Sequence, residues 1–372
     1  MSKKKIKLAI LGSKGIPNNY GGFEQCAEKI SLYFKNTNIP IDVYVYCPIS
    51  HTYKSDKWQG INLVHIKDYE KYPLISSLAY DYGCVIDAKK RKFDIIIQLG
   101  YSPSGLFYKI LKKENIPIIT NMGGMEWKRS KWGIIARNII KYSEKLAVKY
   151  SDMIISDNLG IKEYIDKKYN IDSKYIAYGA EIPYHINDEY LSKYNLEKES
   201  YYLVISRIQK DNNIEMIING YLKSYSNIPL IIIGSIKNNY GKYLKQKYKY
   251  YKNIRFIGGV YELEELNAIR RYCKIYFHGH SAGGTNPSLL EAMAIRCKIV
   301  AHNNIFNRYV LQDNAIYFNN DFEVANIINN FDNLYNYDWQ INNLENIKNN
   351  YQWDSIGEMY LKIILEIAEK KL

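Results

Sequence analysis

Along most of the chain, short apolar runs alternate with segments whose apolar positions recur at helical spacing, and glycine-rich or polar turns separate them. Ile6 to Leu11, Ile41 to Cys47, Ile61 to Ile66, Asp94 to Leu99, Pro117 to Asn121 and Met153 to Ser156 have the continuous apolar character of buried strands. Helical patterns begin at Glu24 and recur over Leu74 to Lys90, Ser104 to Lys113 and Ile134 to Tyr150. This alternation predicts a parallel sheet covered on both faces. After Ile176 to Pro183 the chain turns polar and charged as far as Ser200, and then the pattern restarts. Tyr201 to Arg207, Leu230 to Gly234, Ile254 to Gly258, Lys274 to Phe277 and Lys298 to Ala301 supply strands. Ile214 to Tyr225, Glu262 to Arg271 and Pro287 to Ala294 supply helices. Two successive α/β units predict two Rossmann-like domains with a cleft between them, residues 1–183 and 184–353. The asparagine-rich stretch from Asn319 to Asn350 reads as peripheral helices, and a last helix occupies about 354–372.

Three strand ends carry candidate chemistry. The first strand breaks into Gly12 to Phe23, too long and too widely spaced for a dinucleotide fingerprint. It reads as a lid or cleft wall in which Gly21 and Gly22 let backbone approach a ligand closely. Tyr276 to Ala294 runs strand, glycine-rich turn, helix. Asn286 suits the N-cap and Pro287 the first helical position. Free amides and the positive end of the helix dipole make such a start an anion site. Glu291, about a turn inside, leans back toward it and can reach a ligand's hydroxyls. The same features also describe an ordinary strand-to-helix turn. The third strand end, Asn121 to Trp132, places two tryptophans among basic residues and Glu126, where open α/β sheets hold ligands. In the helix beyond it, Ile135, Ile139, Tyr142 and Leu146 share one face, while Arg137, Lys141, Lys145 and Lys149 recur on another. That basic stripe fits either contact with anionic lipid head groups or a solvated face.

Composition narrows the class. At 372 residues two domains are expected, and 47% hydrophobic with 24% charged residues describes a globular protein. No apolar run approaches eighteen residues, and Met1-Ser2-Lys3-Lys4-Lys5 leads straight into a strand, so neither a membrane span nor export is expected. The five cysteines are scattered without a Cys-x-x-Cys pair, which fits small buried thiols in a reducing cytoplasm rather than a zinc site. His278-x-His280 is the one metal-like histidine spacing. A net charge of +13 suits nucleic acid, an anionic membrane surface or phosphorylated substrates, or else reflects a general richness in lysine, asparagine, isoleucine and tyrosine. No recognised nucleic-acid module is visible, so nucleic acid is not expected as a partner.

Taken together, the residues resemble the retaining glycosyltransferases of family 4, which have the GT-B fold. The likeness lies in Gly283-Gly284-Thr285-Asn286-Pro287-Ser288-Leu289-Leu290-Glu291-Ala292-Met293-Ala294, in Ser206-Arg207 with Asn212-Asn213-Ile214-Glu215 beyond, and in the glycine loop after the first strand. The chain is similar in finer detail to bacterial β-rhamnosyltransferases of capsule and O-antigen assembly. That similarity lies in Gly15-Ile16-Pro17, Tyr20-Gly21-Gly22-Phe23-Glu24, Glu126-Trp127-Lys128-Arg129 with Lys131-Trp132, and His278-Gly279-His280-Ser281. The resemblance covers nearly the whole chain.

It implies a metal-independent transferase of a hexosyl group, L-rhamnose from dTDP-rhamnose or another dTDP- or UDP-linked sugar, onto a lipid-linked or oligosaccharide acceptor; the expected location is the cytoplasm, either free or peripheral on the inner face of the membrane. No Asp-x-Asp motif occurs in the chain. The resemblance assigns Glu291 to the ribose and Arg207 to the diphosphate. It assigns the amides of Gly284 and Thr285 with Asn286 to phosphates and sugar, Gly21 and Gly22 to a closing loop, and Glu126, Trp127, Lys128 and Arg129 to the acceptor. It further implies that the C-terminal helix returns to the first domain. Three positions depart from the family. Gly283 stands where most members have a second Glu, Lys210 substitutes for a phosphate-binding Lys near Asn212, and Gly123 stands where relatives often carry Asp. The competing expectation is a catalytically silent GT-B subunit that docks an acceptor or partner enzyme. Departing phosphate can take the acceptor's proton in such enzymes, with His278 or Glu126 as alternative bases.

Overall fold

The computed structural model describes residues 5–19, 21–68 and 73–370, the stretch 73–75 by its backbone alone. Tyr20 of the first glycine loop, the four residues ahead of Lys5 and the last two of the expected C-terminal helix lie outside the described residues. The chain divides into two compact units, Met1–Gly179 with Trp353–Leu372, and Ala180–Gln352.

The first unit runs β1 (Ile6–Leu11), α1 (Gly22–Asn36), β2 (Ile41–Pro48), β3 (Lys57–Trp58), β4 (Ile61–Ile66), α2 (Pro73–Arg91) and β5 (Ile95–Leu99). It continues with α3 (Tyr108–Lys112), β6 (Ile118–Asn121), α4 (Ile134–Tyr150), β7 (Met153–Ser156), α5 (Leu159–Tyr169) and β8 (Lys174–Tyr175). The strands form one sheet in the order β3-β4-β2-β1-β5-β6-β7-β8. All its pairings are parallel except the short β3–β4 edge. Every residue of β5 is buried, the mark of a central strand covered by helices on both faces.

The second unit runs β9 (Tyr202–Ile205), α6 (Ile214–Lys223), β10 (Leu230–Ile233), α7 (Asn239–Lys247), β11 (Ile254–Gly258), α8 (Leu263–Arg271) and β12 (Ile275–His278). Then follow α9 (Pro287–Ala294), β13 (Ile299–His302), α10 (Ile305–Leu311), β14 (Ile316–Phe318), α11 (Asp321–Leu334) and α12 (Asp338–Asn350). Its sheet is wholly parallel, in the order β11-β10-β9-β12-β13-β14. The asparagine-rich stretch, expected to be peripheral, instead supplies core: Val324, Ile327, Ile328 and Phe331 of α11 pack with Ile217, Ile218 and Ile232. Their spacing of three and four residues forms an apolar stripe that the intervening asparagines obscure.

The last helix, α13 (Trp353–Glu369), belongs to the first unit. Its buried Tyr360 hydroxyl accepts from Asn121 Nδ2 at the end of β6, at 2.8 Å. Asn121 Oδ1 in turn accepts from Gly123 N at 2.9 Å, so one buried amide links α13 to the turn beyond β6. Tyr360→Phe leaves a buried amide donor unpaired, and urea unfolding is expected to register a loss of about 1–3 kcal/mol.

Candidate functional site

In the second unit, successive crossovers lead from β9 out to β10 and β11, and then return to β12 on the other side of β9. β9 and β12 are therefore the switch point of this sheet, and doubly wound sheets bind ligands at the carboxyl ends of the strands there. The loops leaving those ends carry Arg207 and Gly279 to Asn286. Side chains knit them together. Ser281 N and Oγ donate to Asp211 O at 2.9 and 2.8 Å. Asn213 Nδ2 donates to Gly279 O at 2.8 Å, and Asn212 Nδ2 to Arg207 O at 2.6 Å. Asn304 and Asn307 donate to His280 O from the β13 side, at 2.9 and 3.1 Å. The Arg207 backbone is thus anchored while its side chain is exposed and makes no ion pair among the described residues. Lys210 is exposed in the same loop.

Helix α9 starts as its residues dictate. Asn286 Oδ1 accepts from Ser288 N at 3.0 Å and from Ser288 Oγ at 2.9 Å, and Pro287 follows in the first turn. Thr285 is buried and Gly284 half-buried. Gly283 has φ +133°, a region that residues with a Cβ rarely adopt. The position expected to bear a second Glu is therefore built for glycine. One turn into α9, Glu291 Oε2 accepts from Arg270 Nη2 at 2.7 Å. Arg270 is fully buried. Burial opposes its charge, but Glu291, together with Tyr276 and Cys297, outweighs that and holds its pKa above the ordinary value. Sequence reasoning missed Arg270, because Arg270-Arg271 at a helix end looks like an ordinary pair of surface cations.

His278 at the end of β12 is buried, stacks on His280 with ring centroids 4.4 Å apart, and has neither ring nitrogen hydrogen-bonded among the described residues. Burial, aided by His302, lowers its pKa to about 3. It is a neutral interior ring rather than a poised base.

In the first unit, the loop after β1 is held by carboxylates of α1. Lys14 N donates to Glu24 Oε1 and Asn18 N to Glu28 Oε2, each at 2.6 Å. Gly21 is the N-cap of α1 and Gly22 its first residue. A Cβ on Gly21 would meet Glu24 Oε2 at 3.3 Å, a tight contact with the carboxylate whose other oxygen holds Lys14 N. The next residue, Phe23, brings this loop beside the turn after β6. Gly123 has φ +57°, and a Cβ there would meet the Phe23 ring at 2.8 Å, so a larger residue at this position requires that ring to shift.

The candidate acceptor residues pair mainly with their own surroundings. Glu126 binds Arg129 Nε at 2.6 Å and Lys131 Nζ at 2.7 Å, and accepts from Trp132 Nε1 at 3.0 Å. Burial works against its charge, yet these partners hold its carboxyl below the usual range. Glu126 is thus a tied carboxylate rather than a free general base. Trp127 Nε1 donates to Glu144 Oε2 at 3.1 Å, with Lys141 Nζ 4.6 Å from its ring centroid. Lys128 is exposed. Glu144 is buried on α4 and also accepts from the hydroxyls of Tyr101, Tyr164 and Tyr169 and from Lys168 Nζ. These donors compensate a charge that burial alone would make prohibitive. The buried face of α4 is thus Ile140, Ser143, Glu144 and Ala147, which corrects the expected apolar face. Ile135 and Tyr142 of that expected face are 79% and 56% exposed, and Ile134 is 78% exposed.

Residues 5–181 match the family model described as "Domain of unknown function (DUF1972)", and residues 187–351 match "Glycosyl transferases group 1". No curated protein is significantly similar to the chain in sequence. Among solved structures, sucrose-phosphate synthase from Thermosynechococcus elongatus is similar with a TM-score of 0.78 at 12% identity, covering 98% of this chain and 99% of that one. The Anabaena protein HepE in complex with UDP-glucose is similar with a TM-score of 0.77 at 14% identity, covering 97% and 100%. WaaG, a glycosyltransferase involved in lipopolysaccharide biosynthesis, is similar with a TM-score of 0.72 at 12% identity, covering 96% and 99%. The chain has the GT-B fold with two Rossmann-like units, and the group 1 match supports a glycosyltransferase.

A histidine whose pKa is lowered by folding makes the unfolded state the stronger proton binder between about pH 3 and pH 6.5. Stability contributed by neutral His278 is therefore complete above pH 6.5 and lost as the pH falls. His278→Phe is expected to flatten that acid limb, by about 2 kcal/mol at pH 5 relative to neutral pH, in parallel urea titrations.

Proposed function

We propose that the chain is a retaining glycosyltransferase that moves L-rhamnose from dTDP-rhamnose onto a lipid-linked saccharide in surface-polysaccharide assembly. One observation carries the site: the loops after β9 and β12 bring together an exposed guanidinium that makes no ion pair among the described residues, a capped helix start, and a carboxylate one turn inside that helix. That set matches a nucleoside diphosphate. Arg207 and Lys210 take the phosphates, a task suited to a planar, permanently charged fork. The amides of Gly283, Gly284 and Thr285 at the start of α9 complete the anion site, Asn286 caps it, and Glu291 takes a pentose hydroxyl. The sequence resemblance also assigns Gly21 and Gly22 to donor binding. The UDP-glucose complex of the Anabaena neighbour supports a nucleotide-sugar donor. The rhamnosyl group and the acceptor class follow from the sequence resemblance, and Glu126, Trp127, Lys128 and Arg129 form the acceptor side.

In the reaction, the bond from the anomeric carbon to the diphosphate oxygen breaks and the acceptor hydroxyl attacks the same face. Its proton passes to the departing phosphate. Negative charge grows on the leaving group, so donors already aimed there supply most of the rate gain. This route needs no side-chain base, in keeping with the interior His278 and the tied Glu126. A silent docking subunit is not favoured, because the group 1 match spans the unit that carries Arg207 and Glu291.

No helix among the described residues is long and apolar enough to cross a membrane. We place the protein at the cytoplasmic membrane face through α4, where exposed Ile134, Ile135 and Tyr142 lie among exposed Lys141, Lys145 and Lys149. Apolar insertion and attraction to anionic head groups act together on such a surface.

Arg207→Ala is expected to lower kcat/KM for dTDP-sugar transfer by about 10²-fold or more, with the circular dichroism spectrum unchanged. Near-normal transfer would remove the diphosphate assignment. Replacing Lys141, Lys145 and Lys149 by Gln should reduce sedimentation with phosphatidylglycerol vesicles. Undiminished binding would make that face merely solvated.

A further inference from the structure

Resting on the reading of Glu291 as the carboxylate that meets the nucleotide's pentose, we propose that Arg270 is the positioning residue for that contact. Arg270 lies in the last turn of α8, and its side chain is 0% exposed. The adjacent Arg271 instead donates Nη1 to Arg296 O at the surface, at 3.0 Å. The backbone at Arg270 is fixed from beneath, because its carbonyl accepts from the thiols of Cys273 and Cys297, each at 3.1 Å. The guanidinium then has two partners among the described residues. Nη2 donates to Glu291 Oε2 at 2.7 Å and Nη1 to Asn267 Oδ1 at 3.2 Å, while Nε has no partner among the described residues.

Guanidinium does not deprotonate in proteins, so its burial is tolerated only while a carboxylate stays beside it. Glu291 is that carboxylate, and the requirement holds it in one place. Its side chain is 23% exposed, and Oε1 takes no part in the hydrogen bond to Arg270. One oxygen is turned inward to a fixed charge, and the other is left for a ligand. An unrestrained surface Glu would spread over many rotamers and lose that freedom on binding. Here folding has already restricted it, so the nucleotide meets a carboxylate set in position.

The pair is asymmetric. Glu291→Gln strands a buried guanidinium, whereas Arg270→Met leaves a carboxylate that water can still reach. Stability loss and lost recognition are thus confounded in Glu291→Gln and separated in the double variant.

The test is calorimetric titration of dTDP and UDP into the full-length wild type, Arg270→Met, Arg270→Lys, Glu291→Gln and the Arg270→Met/Glu291→Gln double variant. Each is titrated at a temperature where circular dichroism shows it folded. Arg270→Met is expected to weaken nucleotide binding at least tenfold and to raise the donor KM while leaving kcat within about twofold. The double variant is expected to bind no more weakly than Arg270→Met alone. Arg270→Lys, which keeps a charge but not the fork, is expected to fall between wild type and Arg270→Met, and it carries the test if Arg270→Met does not fold. Wild-type affinity in either folded Arg270 variant, with Glu291→Gln weakened, overturns the role of Arg270 alone. Wild-type affinity in Glu291→Gln overturns the pentose assignment and the Arg270 role with it. A wild type that binds neither nucleotide overturns the functional reading as a whole.

Discussion

The constraint on which each unit depends is the reversal of winding in its parallel sheet. In the second unit the chain builds outward from β9 to β11, then crosses to β12 and builds outward the other way to β14. The first unit repeats the arrangement about β1 and β5. At such a reversal, the loops at the carboxyl ends of two adjacent strands can offer backbone amides to a ligand. The glycine loops after β1 and β12 sit at these points. The asparagines and serines around β9, β12 and β13 satisfy loop carbonyls that would otherwise be buried without partners. Those bonds turn a flexible glycine segment into a fixed cradle.

Buried charge is used in two contrasting ways. In the first unit Glu144 accepts from Tyr101, Trp127, Tyr164, Lys168 and Tyr169, and its effect is to lock the indole of Trp127 against α4 and α5. Its oxygens are fully occupied, so its role is architectural. In the second unit Arg270 reaches only Glu291 and Asn267 among the described residues, and Glu291 Oε1 takes no part in the pair. The under-filled carboxylate, Glu291, is 23% exposed, and the saturated one, Glu144, is 1% exposed.

Much of this was legible from residue order. The isoleucine-rich runs mark the central strands because burial on both faces demands unbroken apolar sequence, as in Ile95 to Leu99 and Leu230 to Ile233. Asn286-Pro287 marks the start of α9 because the signals there are local. Non-local compensation was not legible. Arg270 and Glu144 are charged residues on amphipathic helices, and only partners far along the chain make their burial tolerable. With Glu144 and Ser143 inward, the apolar positions of α4 no longer identify its core face. The asparagine-rich segment misleads for the opposite reason, since its sparse apolar residues fall at core spacing among polar neighbours. Short elements such as α10 and β14 carry too few residues for a period to emerge.

The central claim is that the loops after β9 and β12 bind a nucleotide sugar. A thermal-unfolding screen of dTDP-rhamnose, UDP-glucose and the free nucleoside diphosphates tests it most directly, because a ligand bound only by the folded state stabilises it by about 2.7 kcal/mol at a hundred times its Kd. The account predicts a concentration-dependent rise in Tm with dTDP-rhamnose and dTDP that disappears in Arg207→Ala. Unchanged Tm with every nucleotide, or protection that survives the loss of Arg207, would contradict it.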